Sequence, residues 1–552
     1  MSTSAEMAVD SSQDNSRSVK LPKTIDHYMP KIFWHDRKQI MSVSVQPRVP
    51  NDQYISPDGR KAELCYKICT ASVQNEVRVW ELAFAKSTKP GFEDQYELGV
   101  NFVANLIGHN TTLNLAQYSP NGELIASGDV DGKLYIWKIH PRGEDFIQTN
   151  ERPLSDEEAQ FEIPPNKENW LRAFAPIGHD TDLNALVFSP NSQFVCTAAN
   201  DDLRLINAVT GKQIWNVRNF RRLITGLAWD PLSTRYIVTI SSDRRMDIVD
   251  ARKGVRMRTC HGHSIPEMII NGKKYEERVY KFFFDQHIYT LTRSPAFSPC
   301  GELLFAPAGQ LEAADANTYG TYVFRRCDFD KCLPHAFYPC IKPTLMVRVS
   351  PVKYALRTDT DENLLGLPYR LIVAVMCSES VYFYDTQTEF PIGFVYDLSY
   401  DNLTSISWTP DGKILAVSSL EGFNFFLHIR CDKLQAVDVK IERAQSPLLR
   451  KMAAPKLENL DFQASTEQAE NDKQGARSPS QTPSTSSVKT PKRSKKTNSS
   501  VNSTPLPKVD ENPKKPASET PKRAKAESAQ KKRKISTFFK PINDEEDKPA
   551  EQ

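Results

Sequence analysis

No apolar run in the 552-residue chain approaches the roughly 18 residues a membrane-spanning helix needs, and the polar opening Met1–Asp10 lacks the apolar core of a secretory signal. A soluble, intracellular protein with no membrane partner is expected. Cysteine is sparse: ten residues lie singly between Cys65 and Cys431. That is no short disulfide framework, so reduced thiols are expected. Cys327, Cys332, His335 and Cys340, and the thinner group Cys260, His261 and His263, have ligand chemistry without zinc-finger spacing, so neither metal nor cofactor is expected. A Walker loop, a Gly-x-Ser-x-Gly elbow and a His-Glu-x-x-His helix are all missing, which points away from an enzyme.

Aromatic residues are scarce after position 440. Those last 112 residues contain no Trp, no Tyr and only Phe462, Phe538 and Phe539. So little apolar surface cannot offset chain entropy, and disorder is expected there. The charge divides at the same place, with 23 basic and 15 acidic residues after position 440 against 48 and 53 before it. A mildly acidic folded part does not suit broad contact with duplex phosphates, and no direct sequence-specific DNA binding is expected; basic proteins fit it better. A locally basic stretch, 252–281, is a candidate surface for an acidic segment of a partner.

What is present is a repeat. Gly108-His109-Asn-Thr-Thr-Leu-Asn114 through Ser119-Pro120-Asn121 recurs with every spacing kept as Gly178-His179-Asp-Thr-Asp-Leu-Asn184 through Ser189-Pro190-Asn191. The first copy continues from Leu124 to Trp137 as two short apolar strands joined at Asp131-Gly132. This resembles the WD repeat, one four-stranded propeller blade of roughly 40–45 residues. The same rhythm returns at Pro47, Pro120, Pro190, Pro231, Pro299, Pro351 and Pro410, so the reading is all-β: a seven-bladed WD-repeat β-propeller over 27–430. A disordered extension is expected over 1–26 and a disordered basic tail over 431–552. Extra residues are expected as insertions at 84–102, 138–172, 255–290, 309–320 and 354–367. The WD resemblance implies a structural hydrogen-bonded set of His109, Ser127, Asp131 and Trp137 in one blade and of His179, Thr197 and Asp201 in the next.

Several stretches go further. Pro30-Lys-Ile-Phe-Trp34-His35, Phe297-Ser-Pro-Cys-Gly-Glu-Leu-Leu-Phe-Ala-Pro-Ala-Gly309, Leu367-Pro-Tyr-Arg-Leu371, Val381-Tyr-Phe-Tyr-Asp-Thr386 and Phe390-Pro-Ile-Gly-Phe394 resemble the middle, WD-repeat subunits of chromatin assembly factor 1. That resemblance implies a non-enzymatic nuclear histone-chaperone subunit. It would work with a large and a small partner subunit to deposit histones H3 and H4 on newly replicated or repaired DNA. Transcription-linked histone regulators with an N-terminal propeller are the nearest alternative. Val249-Asp250-Ala251-Arg252 resembles the box by which some WD-repeat proteins dock on cullin ubiquitin ligases as substrate receptors.

The tail carries proline-directed phosphorylation candidates at Ser478, Thr482, Thr490, Thr504 and Thr520. Two basic clusters, Lys492, Arg493, Lys495 and Lys496, then Lys531, Lys532, Arg533 and Lys534, read as nuclear-import signals. Lys532, Arg533, Lys534, Ile535, Phe538 and Phe539 form an apolar-aromatic island of the kind that marks a binding peptide. One reading resembles the box that docks on the replication sliding clamp, with Ile535, Phe538 and Phe539 on one face of a helical turn. The other resembles the basic-aliphatic segment by which the family contacts the anti-silencing-function histone chaperone.

Overall fold

The computed structural model describes residues 25–430, apart from 49–61, 89–94, 141–163, 233–234, 266–267, 271–272, 276–277, 285–291, 313–316 and 359–362. Over them the chain is an all-β propeller of seven antiparallel sheets, each a blade. The innermost strands, in blade order, are Ile40–Val45, Leu113–Tyr118, Leu183–Phe188, Ile224–Trp229, Ala296–Phe297, Met346–Tyr354 and Leu403–Trp408.

Each blade starts from a local device written in the sequence. Ser119 Oγ donates to Asn121 Oδ1 (2.6 Å) and accepts the Leu124 amide (3.0 Å), while Pro120 presets the turn and Gly122 takes φ +73°. Ser189 with Asn191 and Phe194 repeats it, as does Thr409 with Asp411 and Ile414. The second and third strands of a blade are covered on both faces by neighbouring blades. Leu124–Asp129, Phe194–Ala199, Val381–Asp385 and Ile414–Ser419 are therefore buried at every position. Such strands read as continuous apolar runs, whereas the outer strand Gln213–Val217 stays largely exposed.

The core lies between blades. Trp34, Phe84 and Phe426 pack where blade 7 meets blade 1, and Tyr338 stacks on Tyr384 with ring centroids 4.7 Å apart where blade 5 meets blade 6. Each fully buried large side chain contributes roughly 1.5–3 kcal/mol. The ring closes through Ile25–Tyr28, which runs antiparallel to Asn424–Ile429 as the fourth strand of blade 7. Residues 25 and 26, expected in a disordered extension, are strand instead: Ile25 pairs Ile429, and Asp26 accepts from Arg430 Nε at 2.9 Å.

Some expected insertions are regular structure. Residues 84–102 fall mostly in the long hairpin Glu76–Lys86 and Tyr96–Ile107, and 309–320 in the hairpin Leu303–Glu312 and Asn317–Arg325. Val255–Cys260 is the outer strand of blade 4, so the extra chain there begins after Cys260 and folds into paired segments, Gly262–Ile265 with Arg278–Lys281 and Met268–Ile270 with Lys273–Tyr275. The cysteines are not all reduced. Cys260 is joined to Cys332, with Cα atoms 5.3 Å apart across a separation of 72 residues, because blades 4 and 5 bring the two positions together.

Candidate functional site

Two of the expected side-chain sets assemble, each with one substitution. In blade 2, His109 Nε2 meets Ser127 Oγ at 2.6 Å, and Trp137 Nε1 donates to the same oxygen at 2.8 Å. The carboxylate facing His109 Nδ1, at 2.8 Å, belongs to Asp129 rather than Asp131. Asp131 is exposed at the tip of the turn and gives only its backbone N–H to Asp129 Oδ1. In blade 3, His179 Nε2 meets Thr197 Oγ1 at 2.8 Å, but the carboxylate near Nδ1 is Asp202 at 3.4 Å, not Asp201. The blade 3 turn is one residue shorter, so the third strand starts at Asp202, directly opposite Ala199. Arg204 then holds Asp202 from Nε at 2.8 Å.

Blade 1 carries a third set that lacks the Gly-His signature. His35 Nε2 lies 2.8 Å from Thr70 Oγ1, which also accepts Trp80 Nε1 at 2.9 Å. The legible signal was the ten-residue step from Thr70 to Trp80, equal to that from Ser127 to Trp137. The histidine escaped notice because 35 residues separate His35 from Thr70, against 18 in blades 2 and 3.

Burial, reinforced by Arg78, lowers the His35 pKa to about 3, and burial with Arg204 lowers His179 to about 4. Burial also lowers His109, against the pull of Asp129. These rings are neutral at physiological pH and engaged by blade groups, an arrangement that ties strands together. Buried ion pairs serve the remaining blades: Arg370 reaches Asp385 at 3.1 Å, and Arg326 clasps Asp230 and the Gly301 carbonyl.

The cysteine and histidine residues weighed as ligands are dispersed. Cys332 is in the disulfide, His335 Nε2 faces the Leu364 carbonyl, Cys340 Sγ faces the Tyr384 hydroxyl and Cys327 is exposed. In the Asp-x-Arg box, Asp250 Oδ1 accepts the amides of Arg252 and Lys253, the role of a turn cap. Within the basic stretch, Arg256 lies on the outer strand of blade 4, over the Phe220 ring at 4.7 Å and 3.5 Å from Asp247.

Two surfaces offer purchase to a partner. Between blades 4 and 5 opens a cavity of about 180 Å³, walled by Tyr236, Leu303, Phe329, Leu365 and Leu367. Burial raises the Glu302 carboxyl at its wall. On the rim of blade 6, Phe390, Phe394 and Tyr396 are exposed, with Phe394 and Tyr396 rings 4.5 Å apart. Exposed aromatics of this kind are favoured anchors at protein interfaces. The import clusters, the phosphorylation candidates and the Lys532–Phe539 island all lie outside the described residues.

The CAF1B/HIR1 beta-propeller domain family matches residues 25–434, from the closing strand to just past the last strand of blade 7. The chain belongs to that family. It is 31% identical to the CAF1B protein of chromatin assembly factor 1 from Gallus gallus, over 73% of this chain and 67% of that protein. It is 26% identical to the Saccharomyces cerevisiae protein of the same name, over 72% and 85%. Protein hir-1 of Neurospora crassa is 24% identical over 67% of this chain but only 33% of its own length. The CAF1B/HIR1 relationship thus resides in the ring of blades, and the length relation favours the CAF1B branch over the HIR1 branch.

Proposed function

We propose that this chain is the propeller subunit of a nuclear histone-chaperone complex that deposits histones H3 and H4 on newly replicated or repaired DNA. The carrying observation is the CAF1B/HIR1 match across the whole ring, 25–434, with chromatin assembly factor 1 proteins among the relatives. Its role is that of a non-enzymatic scaffold holding a large and a small partner subunit on rigid blades, which is the usual work of a closed propeller. The tail delivers it to the nucleus through Lys492–Lys496 and Lys531–Lys534, and Ile535, Phe538 and Phe539 engage either the anti-silencing-function chaperone or the sliding clamp. Ser478, Thr482, Thr490, Thr504 and Thr520 adjust the tail's charge, each phosphate adding about −1.5 to −2.

Affinity purification of the full chain from nuclear extract, with mass-spectrometric identification of companions, tests the reading. Recovery of two chromatin-assembly subunits with histones H3 and H4 is the expected result. A cullin adaptor lost on Arg252→Ala, or a transcription-linked assembly without the two subunits, overturns it.

A further inference from the structure

The inner strands enclose a central channel of about 80 Å³ lined by small hydroxyl side chains, among them Ser42, Ser44, Ser405 and Ser407. These hydroxyls stitch neighbouring blades together. Ser42 Oγ donates to the Ala116 carbonyl at 3.0 Å, and Ser405 Oγ to the Val43 carbonyl at 3.3 Å. Ser44 Oγ accepts the Tyr118 amide at 3.1 Å, and Ser407 Oγ accepts the Val45 amide at 3.0 Å. As acceptors, Ser44 and Ser407 keep their own protons to offer to a guest.

One charge stands in this lining. Arg348, on the inner strand of blade 6, donates from Nη1 to Ser294 Oγ at 2.9 Å and to the Val347 carbonyl at 2.8 Å. Among the described residues no carboxylate lines the channel or pairs with Arg348. The other buried arginines of the ring are treated differently: Arg370 has Asp385, Arg204 has Asp202 and Arg78 has Glu76. A guanidinium withdrawn from bulk water without a counter-charge is costly, and burial lowers its pKa to about 10. The space, the hydroxyl donors and the unbalanced cation together match one kind of guest.

We propose that the central channel is an anion site in which a small inorganic anion, phosphate or chloride, sits against the Arg348 guanidinium. The ion supplies the counter-charge that the chain omits and braces the inner strands. Thermal unfolding of the full chain is followed while phosphate, or separately chloride, replaces gluconate at constant ionic strength. A saturable rise of about 3 °C is expected at a hundredfold excess over the dissociation constant for a ring of this size. Arg348→Met should abolish the rise, and Arg348→Lys should retain most of it. Crystals of the unaltered protein soaked in bromide give a second readout that needs no variant: an anomalous peak beside Arg348. A response to neither ion, an equal response in Arg348→Met, or a channel without bromide overturns the proposal.

Discussion

Acid should weaken this ring through histidines that face no solvent. His35 and His179 have fully buried rings, with pKa values lowered to about 3 and about 4 by burial and by Arg78 and Arg204. In the unfolded chain both return to about 6.5. The unfolded state therefore binds more protons below pH 6.5, so the stabilisation is fully present above that value and drains away as pH falls toward the folded-state values. Between pH 7.5 and pH 5.5 each ring forfeits about 1.4 kcal/mol, so the pair forfeits about 3 kcal/mol. For some 400 folded residues that is a fall in Tm of about 3 °C. Asp247 and Glu302, raised by burial, act in the opposite sense. Calorimetry at both pH values on the unaltered chain and on His35→Gln with His179→Gln isolates the contribution, because the double variant should lose most of the acid sensitivity. Carbon-13 NMR of the ring carbons should show both imidazoles still neutral at pH 5.5. A double variant as acid-sensitive as its parent, or rings that protonate near pH 6.5, would refute the reasoning.

Trp137→Ala removes a ring stacked 5.8 Å from Tyr135 and the donor to Ser127, and should cost ~3–5 kcal/mol by denaturant titration; unchanged stability with loss of partner binding alone would mean the residue is a contact site. Deleting residues 1–28 strips the strand paired with Asn424–Ile429 and leaves an open edge, so a lower Tm and self-association in light scattering are expected, and a monomer of unaltered Tm would contradict the closure. A peptide of residues 527–544 should bind either the anti-silencing-function chaperone or the sliding clamp in calorimetric titration. Phe538→Ala with Phe539→Ala should weaken that binding by well over tenfold, because anchors commonly contribute ~2 kcal/mol or more each; binding to neither protein leaves the segment an import signal.

The ring was legible because its determinants are local. Ser119-Pro120-Asn121 and its equivalents carry their own turn chemistry, and strands such as Leu124–Asp129 are apolar throughout because blades cover both faces. The side-chain sets were legible where the spacing was kept, as from His109 to Ser127. They were misread where one residue of turn length decides the outcome: Asp129 and Asp202 hold the histidines by lying at strand ends, while Asp131 and Asp201 occupy the turns between. Contacts that depend on how blades meet left no sequence trace. The Cys260–Cys332 bond, the channel around Arg348 and the pairing of Ile25 with Ile429 join positions that only the closed ring makes neighbours.

That last pairing sets a schedule. Ile25 and its partner Ile429 are 404 residues apart in the chain, and a ribosome adding about 5–20 residues per second needs roughly 20–80 s to deliver the second after the first. Six blades can form during translation from strands that follow one another directly. The seventh has to wait with its outermost strand already made and unpaired. Through that interval the nascent protein carries an unsatisfied hydrogen-bonding edge at its N-terminal end, and its vulnerability to mispairing is governed by elongation rate as much as by the stability of the finished ring.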